Sequence, residues 1–138
     1  MQTDEADLLV YLRCNGVISK QQHGFLSRRS TSTNLLEVLR DWTLAINDMK
    51  GVHVAYIDYA GAFDTVSHAK LFHKLTAYSI TATLLDWIKS LLSERTQQTR
   101  IGNSVSCSTV LTSGVIQGSV LGTLLFILFV NDLPDVNK

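Results

Sequence analysis

The spacing of apolar and polar side chains along the chain predicts helices interleaved with short strands. Glu5 to Asn15 reads as a short helix stopped by the Asn15-Gly16 pair. Gln21 to Ser32 is polar and contains a glycine, the pattern of a loop. Ser32 or Thr33 then caps a helix whose Leu35, Leu39, Trp42, Ile46 and Met49 mark one face, with Gly51 ending it. Val52 to Ile57 is rich in β-branched and aromatic residues and apolar on both faces, as a central buried strand is. A helix over Ser67 to Tyr78 turns Leu71, Leu75 and Tyr78 inward, and another over Ala82 to Leu92 does the same with Leu84, Leu85, Ile88, Leu91 and Leu92. Thr96 to Ile101 and Ser104 to Leu111 read as strands joined by a Gly102-Asn103 turn. Gly114 to Gly118 is a loop that leads into a last apolar helix, Ser119 to Val130. This order predicts a mixed α+β fold in which helices pack on an antiparallel sheet.

Composition narrows the function classes. With 138 residues, 46% hydrophobic and 17% charged, the chain is one domain's worth and can bury a core. Its 12 basic and 12 acidic side chains cancel, against the basic excess of a free-standing nucleic-acid binder. The cancellation is not uniform, because between Leu8 and Leu36 the charged residues are Arg13, Lys20, Arg28 and Arg29, all positive. Cys14 and Cys107 lie far apart without metal-ligand spacing, which points away from a disulfide framework and toward a reducing, intracellular setting, nucleus or cytoplasm. The acidic opening Met1-Gln2-Thr3-Asp4-Glu5 is unlike a signal peptide, and the longest apolar run, Val120 to Val130, is too short to span a bilayer, so no membrane partner is expected.

Three places carry candidate chemistry. Asp58 directly follows the expected central strand, and Asp64 lies six residues on. A carboxylate at a strand end is rigidly placed, as a hard divalent cation requires, although loop aspartates also serve as turn and cap residues. Ser113-Gly114-Val115-Ile116-Gln117-Gly118-Ser119 combines glycines, which allow close backbone approach, with a following helix N-terminus. His23-Gly24-Phe25-Leu26-Ser27-Arg28-Arg29 offers paired arginines and an aromatic suited to phosphate contact and stacking. Histidines 53, 68 and 73 have no accompanying ligand pattern and read as core or surface residues.

In this order the three places resemble the reverse transcriptase family, specifically its non-LTR (LINE-like) branch of retrotransposable elements. The matching strings are Gln22-His23-Gly24-Phe25 with Arg29-Ser30-Thr31, Ile57-Asp58-Tyr59 with Ala62-Phe63-Asp64-Thr65-Val66-Ser67-His68, and Ser113-Gly114-Val115 with Gln117-Gly118-Ser119-Val120-Leu121-Gly122. Leu124-Leu125-Phe126 and Asn131-Asp132-Leu133 continue the third. The resemblance covers about Leu8 to Pro134 and implies the fingers and palm portion of a right-hand polymerase, with 1–50 in the fingers and 51–138 in the palm. It implies RNA-directed DNA synthesis from an RNA template, a DNA primer and deoxynucleoside triphosphates, with Mg2+ as the metal. By the same resemblance Asp58 is the catalytic carboxylate and metal ligand, and Phe63 crowds the sugar 2′-hydroxyl. Gln117 and Gly118 lie against the incoming nucleotide and the template–primer pair, Arg28 or Arg29 touches nucleic acid, and Asp64 is structural, orienting the turn.

The chain departs from the family at Ile116 and Thr123, where proline is usual, and at Gly61, where a basic residue is usual. The family's later motif, an aromatic residue with two adjacent aspartates, has no counterpart, since no adjacent aspartate pair occurs. The chain is therefore expected to supply one of three metal carboxylates, to need the missing polymerase segments as partners, and to be inactive alone. The alternative is a non-catalytic nucleic-acid-binding or interaction remnant of a decayed retroelement.

Overall fold

The computed structural model describes residues 5–80 and 82–135. The acidic opening residues Met1 to Asp4 and the last three positions of the expected palm range lie outside the described residues. Among the described residues the order is α1 (Glu5–Cys14), α2 (Thr31–Asn47), α3 (His68–Ala77), α4 (Ala82–Leu92), strands β1 (Thr96–Gln97), β2 (Arg100–Ile101), β3 (Ser104–Val105) and β4 (Thr109–Val110), α5 (Val120–Val130) and a final 3-10 turn, Leu133–Asp135.

The core is built on α5, whose eleven residues VLGTLLFILFV contain no charge. A helix apolar on every side is stable only when surrounded. Leu121, Leu124, Leu125, Ile127 and Leu128 are buried, and α3 and α1 pack on it. The predicted inner positions Leu71 and Leu75 of α3 and Leu85, Ile88 and Leu92 of α4 join that core, with Leu8 and Leu12 from α1. Ser119 caps α5 by accepting from Gly122 N–H at 2.9 Å.

The C-terminal end of α5 is tied down by polar contacts. Asn131 Oδ1 accepts from Ser19 N–H at 2.8 Å, and its Nδ2 donates to Val17 O at 2.7 Å and to Tyr78 Oη at 3.3 Å. Lys74 of α3 donates to Phe129 O and Asp132, placing a cation at a helix C-terminus, where the backbone dipole favours it.

Strands 96–97 and 109–110 pair antiparallel, as do 100–101 and 104–105, so the predicted hairpin forms around Gly102, whose φ of +59 suits the turn. The predicted central strand does not form. Val52 to Ile57 has no strand assignment, pairs with nothing among the described residues, and leaves Tyr56 88% exposed. Apolar alternation makes a segment compatible with a sheet, but a strand exists only when a neighbour takes up its N–H and C=O groups. The predicted inner face of α2 is likewise uncovered: Leu35, Leu39 and Ile46 are exposed, Met49 is 95% exposed, and only Trp42 is partly covered. The cap of α2 is Ser30 rather than Ser32 or Thr33. Thr33 is its reciprocal partner, its backbone N–H donating to Ser30 Oγ at 3.2 Å while its hydroxyl accepts from Ser30 N–H at 2.8 Å.

Two stability predictions follow from the two ends of α5. A Cβ at Gly122 would fall 2.0 Å from Ile116 O, a distance no side-chain carbon tolerates. Gly122→Ala should therefore cost about 1–3 kcal/mol or more, read as a lower urea midpoint at unchanged slope; an unshifted midpoint would show that the 116–122 turn is not held as described. At the other end, the hydrogen bond from Lys74 holds the Asp132 carboxyl below its ordinary value of 3.8. A carboxyl lowered on folding adds stability that is present above its unfolded value and lost as pH falls through the folded one. The loss between pH 5 and the acid side should be small, because the pair is half open to water, and should shrink in Lys74→Met when urea midpoints are compared. An identical acid slope in both proteins would exclude the pair as its source.

Candidate nucleotide and nucleic-acid site

The second and third motif strings meet through their backbones. Gly114 N–H donates to Val66 O and Val115 N–H to Phe63 O, each at 2.9 Å, and Ser113 Oγ donates to Asp64 O at 2.8 Å. His68 Nε2 lies 2.8 Å from Gly114 O, so the hydrogen sits on Nε2 and is donated to that carbonyl. The approach is close enough that a Cβ at Gly114 would meet Asp64 backbone atoms at 3.0–3.3 Å, and its φ of +92 is one that side-chain-bearing residues rarely adopt. Loops 113–115 and 63–66 are thus locked together on the N-terminal side of α5.

Phe63 is partly buried. Its ring stacks on Phe126 of α5, centroids 4.4 Å apart and planes 19° apart, and lies edge-to-face with Phe25 at 6.2 Å. That aromatic row joins the first motif string to the second. Phe25 is 65% exposed, and both Phe25 and Arg28 adopt left-handed backbone, with φ of 60 and 64. Such conformations cost non-glycine residues on the order of 1–3 kcal/mol each, so the loop must be held from outside. His23, 5% exposed, supplies one hold: Nδ1 lies 2.9 Å from the Thr33 hydroxyl and Nε2 lies 3.1 Å from Glu37 on α2. Arg13 supplies another through Ser27, at 2.8 and 3.1 Å.

The two arginines proposed for nucleic-acid contact divide. Arg29 is partly buried and its guanidinium donates to Lys20 O and to Gln22 O, so it braces the loop. Arg28 is exposed and makes no side-chain hydrogen bond or ion pair among the described residues. Asp58 stands on the irregular, exposed stretch, also without a side-chain partner among the described residues. The Asp64 turn is held by its main chain: its N–H donates to Gly61 O at 2.9 Å and its C=O accepts from Ser113. Gln117 and Gly118 are exposed, and Gly118 has a φ of +85 with open space where a Cβ would stand.

A cavity of about 560 Å³ opens between the locked loops and the base of the hairpin, with Asp64, Arg95, Gln97, Ser113 and Gln117 in its wall. Asp58, Phe63 and Gly118 are outside that wall. Arg95 lies outside the motif strings, and Ser113, His68 and Phe126 lie within them but were given no role of their own by the sequence. The departures from proline are accommodated. Ile116 N–H makes no hydrogen bond among the described residues, while Thr123 N–H and Oγ1 both donate to Ser119 O, at 3.2 and 3.1 Å.

Among the described residues, no group of three or more His, Cys, Asp or Glu converges as a metal site would. Cys14 and Cys107 are free and exposed. No helix among the described residues is long and apolar enough to cross a membrane.

Comparison with known proteins bears on the whole chain. A family model described as reverse transcriptase (RNA-dependent DNA polymerase) matches residues 6–138. The probable RNA-directed DNA polymerase from transposon BS of Drosophila melanogaster is 34% identical over 121 residues, 88% of this chain and 13% of that protein. The probable RNA-directed DNA polymerase from transposon X-element of the same organism is 29% identical over 89% of the chain and 13% of its own length. The RNA-directed DNA polymerase from its mobile element jockey is 32% identical over 89% of the chain and 14% of its own length. The chain thus spans about one-eighth of the length of these relatives, and no solved structure matches it. With motifs, locked loops and family match coinciding over the same residues, the chain belongs to the reverse transcriptase family.

Proposed function

We propose that the chain forms part of the fingers (1–50) and palm (51–138) of an RNA-directed DNA polymerase of a retrotransposable element, working on an RNA template, a DNA primer and deoxynucleoside triphosphates. The observation that carries this reading is the backbone lock between Phe63–Val66 and Ser113–Val115, which brings two separate motif strings into one wall beneath Gln117. Family membership supplies the class of chemistry, extension of a primer by a nucleotide.

In this reading each residue has a local task. Gln117 presents an amide, both donor and acceptor, to the nucleotide or the template–primer pair. Gly118, with no Cβ, lets the backbone approach the same ligand. Phe63, fixed between Phe25 and Phe126, gives a rigid apolar edge against the sugar. Arg28 is the loop cation left available for phosphate. Asp58 is one ligand for a divalent cation, proposed to be Mg2+, and the residues described here do not complete that metal site. The remaining ligands are assigned to polymerase segments outside these 138 residues.

Photocrosslinking with an azido-deoxynucleoside triphosphate should label the 113–118 loop. Gln117→Ala should reduce that labelling about fivefold, the loss of roughly one hydrogen bond. Labelling elsewhere, or labelling indifferent to Gln117→Ala, would remove the nucleotide assignment. Primer extension on an RNA template by the purified 138-residue chain should be absent; template-dependent incorporation would overturn the view that its active site is incomplete.

A further inference from the structure

The cavity beside the locked loops holds two charged groups that the fold does not use. Arg95 is partly buried at the start of the hairpin, and its guanidinium has no hydrogen-bond or ion-pair partner among the described residues. Its nitrogens reach solvent, since among the described residues no buried side-chain nitrogen or oxygen lacks a partner, and its planar fork matches a phosphate well. Asp64 lines the same cavity, and its carboxylate makes no hydrogen bond or ion pair among the described residues. It too is free, because the main chain of Asp64 holds the turn. Two residues of opposite charge therefore line one cavity without forming an ion pair, which allows a ligand to bridge them.

That ligand must offer an anion to Arg95 and a hydroxyl or N–H donor to Asp64, since an ionised carboxylate only accepts. Thr96, Gln97 and Gln117 add neutral hydrogen-bonding groups around the same space. The cavity, at about 560 Å³, lies in the range of roughly 300–1,000 Å³ that seats small ligands. A ribonucleotide unit of a strand meets these requirements, because it carries a phosphodiester and, one sugar carbon away from its attachment, a 2′-hydroxyl donor that DNA lacks.

Resting on the polymerase reading above, we infer that this cavity seats one ribonucleotide of the RNA template, with Arg95 taking the phosphodiester and Asp64 accepting from the ribose 2′-hydroxyl. Asp64 is then a specificity-determining residue for RNA over DNA, and Arg95 a sequence-independent backbone contact.

The test is fluorescence anisotropy of the 138-residue chain with labelled single-stranded RNA and DNA of one sequence across a KCl series. Arg95→Gln should weaken both strands about threefold to tenfold and flatten the salt slope by about 0.7, the value for one phosphate contact on a single strand. Asp64→Ala should weaken RNA by a similar factor and leave DNA unchanged. Neither side chain makes a hydrogen bond or ion pair among the described residues, so far-UV circular dichroism should match the parent. Two variants that bind like the parent would overturn the inference, and so would Asp64→Ala weakening RNA and DNA equally. If instead the unsubstituted chain binds neither strand, the polymerase reading of this site fails and the inference with it. Retained parental binding with indifferent variants removes the inference alone.

Discussion

Enclosure of α5 is the constraint on which the rest of the structure depends. Its eleven residues carry no charge, and water on any side of it would expose apolar surface at roughly 25 cal/mol per Å². The chain meets this by packing α3 and α1 on the helix and drawing in α4 through the same core. The polar groups at the ends of α5 then become the points where position is specified, because burial is non-directional and hydrogen bonds are not. Asn131 joins the helix end to the segment after α1 and to Tyr78 beyond α3, so one amide fixes three parts of the chain.

At its N-terminal end α5 transmits that order to the site. The Ser119 cap and the close passage of Ile116 over Gly122 fix where the loop leaves the helix. The loop then grips Phe63 to Val66 through main-chain bonds, and Phe63 returns to stack on α5. The circuit is closed, and its precision comes from backbone groups and a glycine rather than from flexible side chains. Asp58 lies outside this circuit, five residues ahead of Phe63 on a stretch with no strand partner among the described residues. Phe63 and the loop leading to Gln117 are thus held more firmly than Asp58.

The difference marks what the sequence could reveal. Helices α3, α4 and α5 and the hairpin at Gly102 were legible because each signal is local: apolar spacing and a turn pair. The central strand over Val52 to Ile57 was not, because pairing is a relation between segments and a single segment's composition reports only compatibility. The exposed face of α2 has the same origin; helical spacing of leucines does not say what covers them. In the candidate site, the motif strings gave the positions of Phe63, Asp64, Gln117 and Gly118, but not which atoms are engaged. Arg28 and Arg29 are equivalent on paper, and only the fold shows Arg29 bound to two carbonyls while Arg28 is open. Asp64 read as structural, yet its main chain does the holding and its carboxylate is left over.

This separation of engaged from available charge also resolves the tension between zero net charge and membership in a nucleic-acid enzyme family. Arg13 and Arg29 brace a loop, Arg40, Lys50, Lys74 and Lys89 pair with aspartates, and Arg100 donates to Gly102 O. Among the described residues, Lys20, Arg28, Lys70 and Arg95 keep side chains without such partners. Net charge sums engaged and available groups alike, whereas a phosphate meets only the available ones. In the proposed polymerase reading, a surface with few open cations gains little from counterion release, so contacts to sugars and bases carry a larger share of recognition than in a basic binding domain. In the same reading the weight falls on the loop holding Gln117 and on the cavity it lines, next to the helix that organises the core.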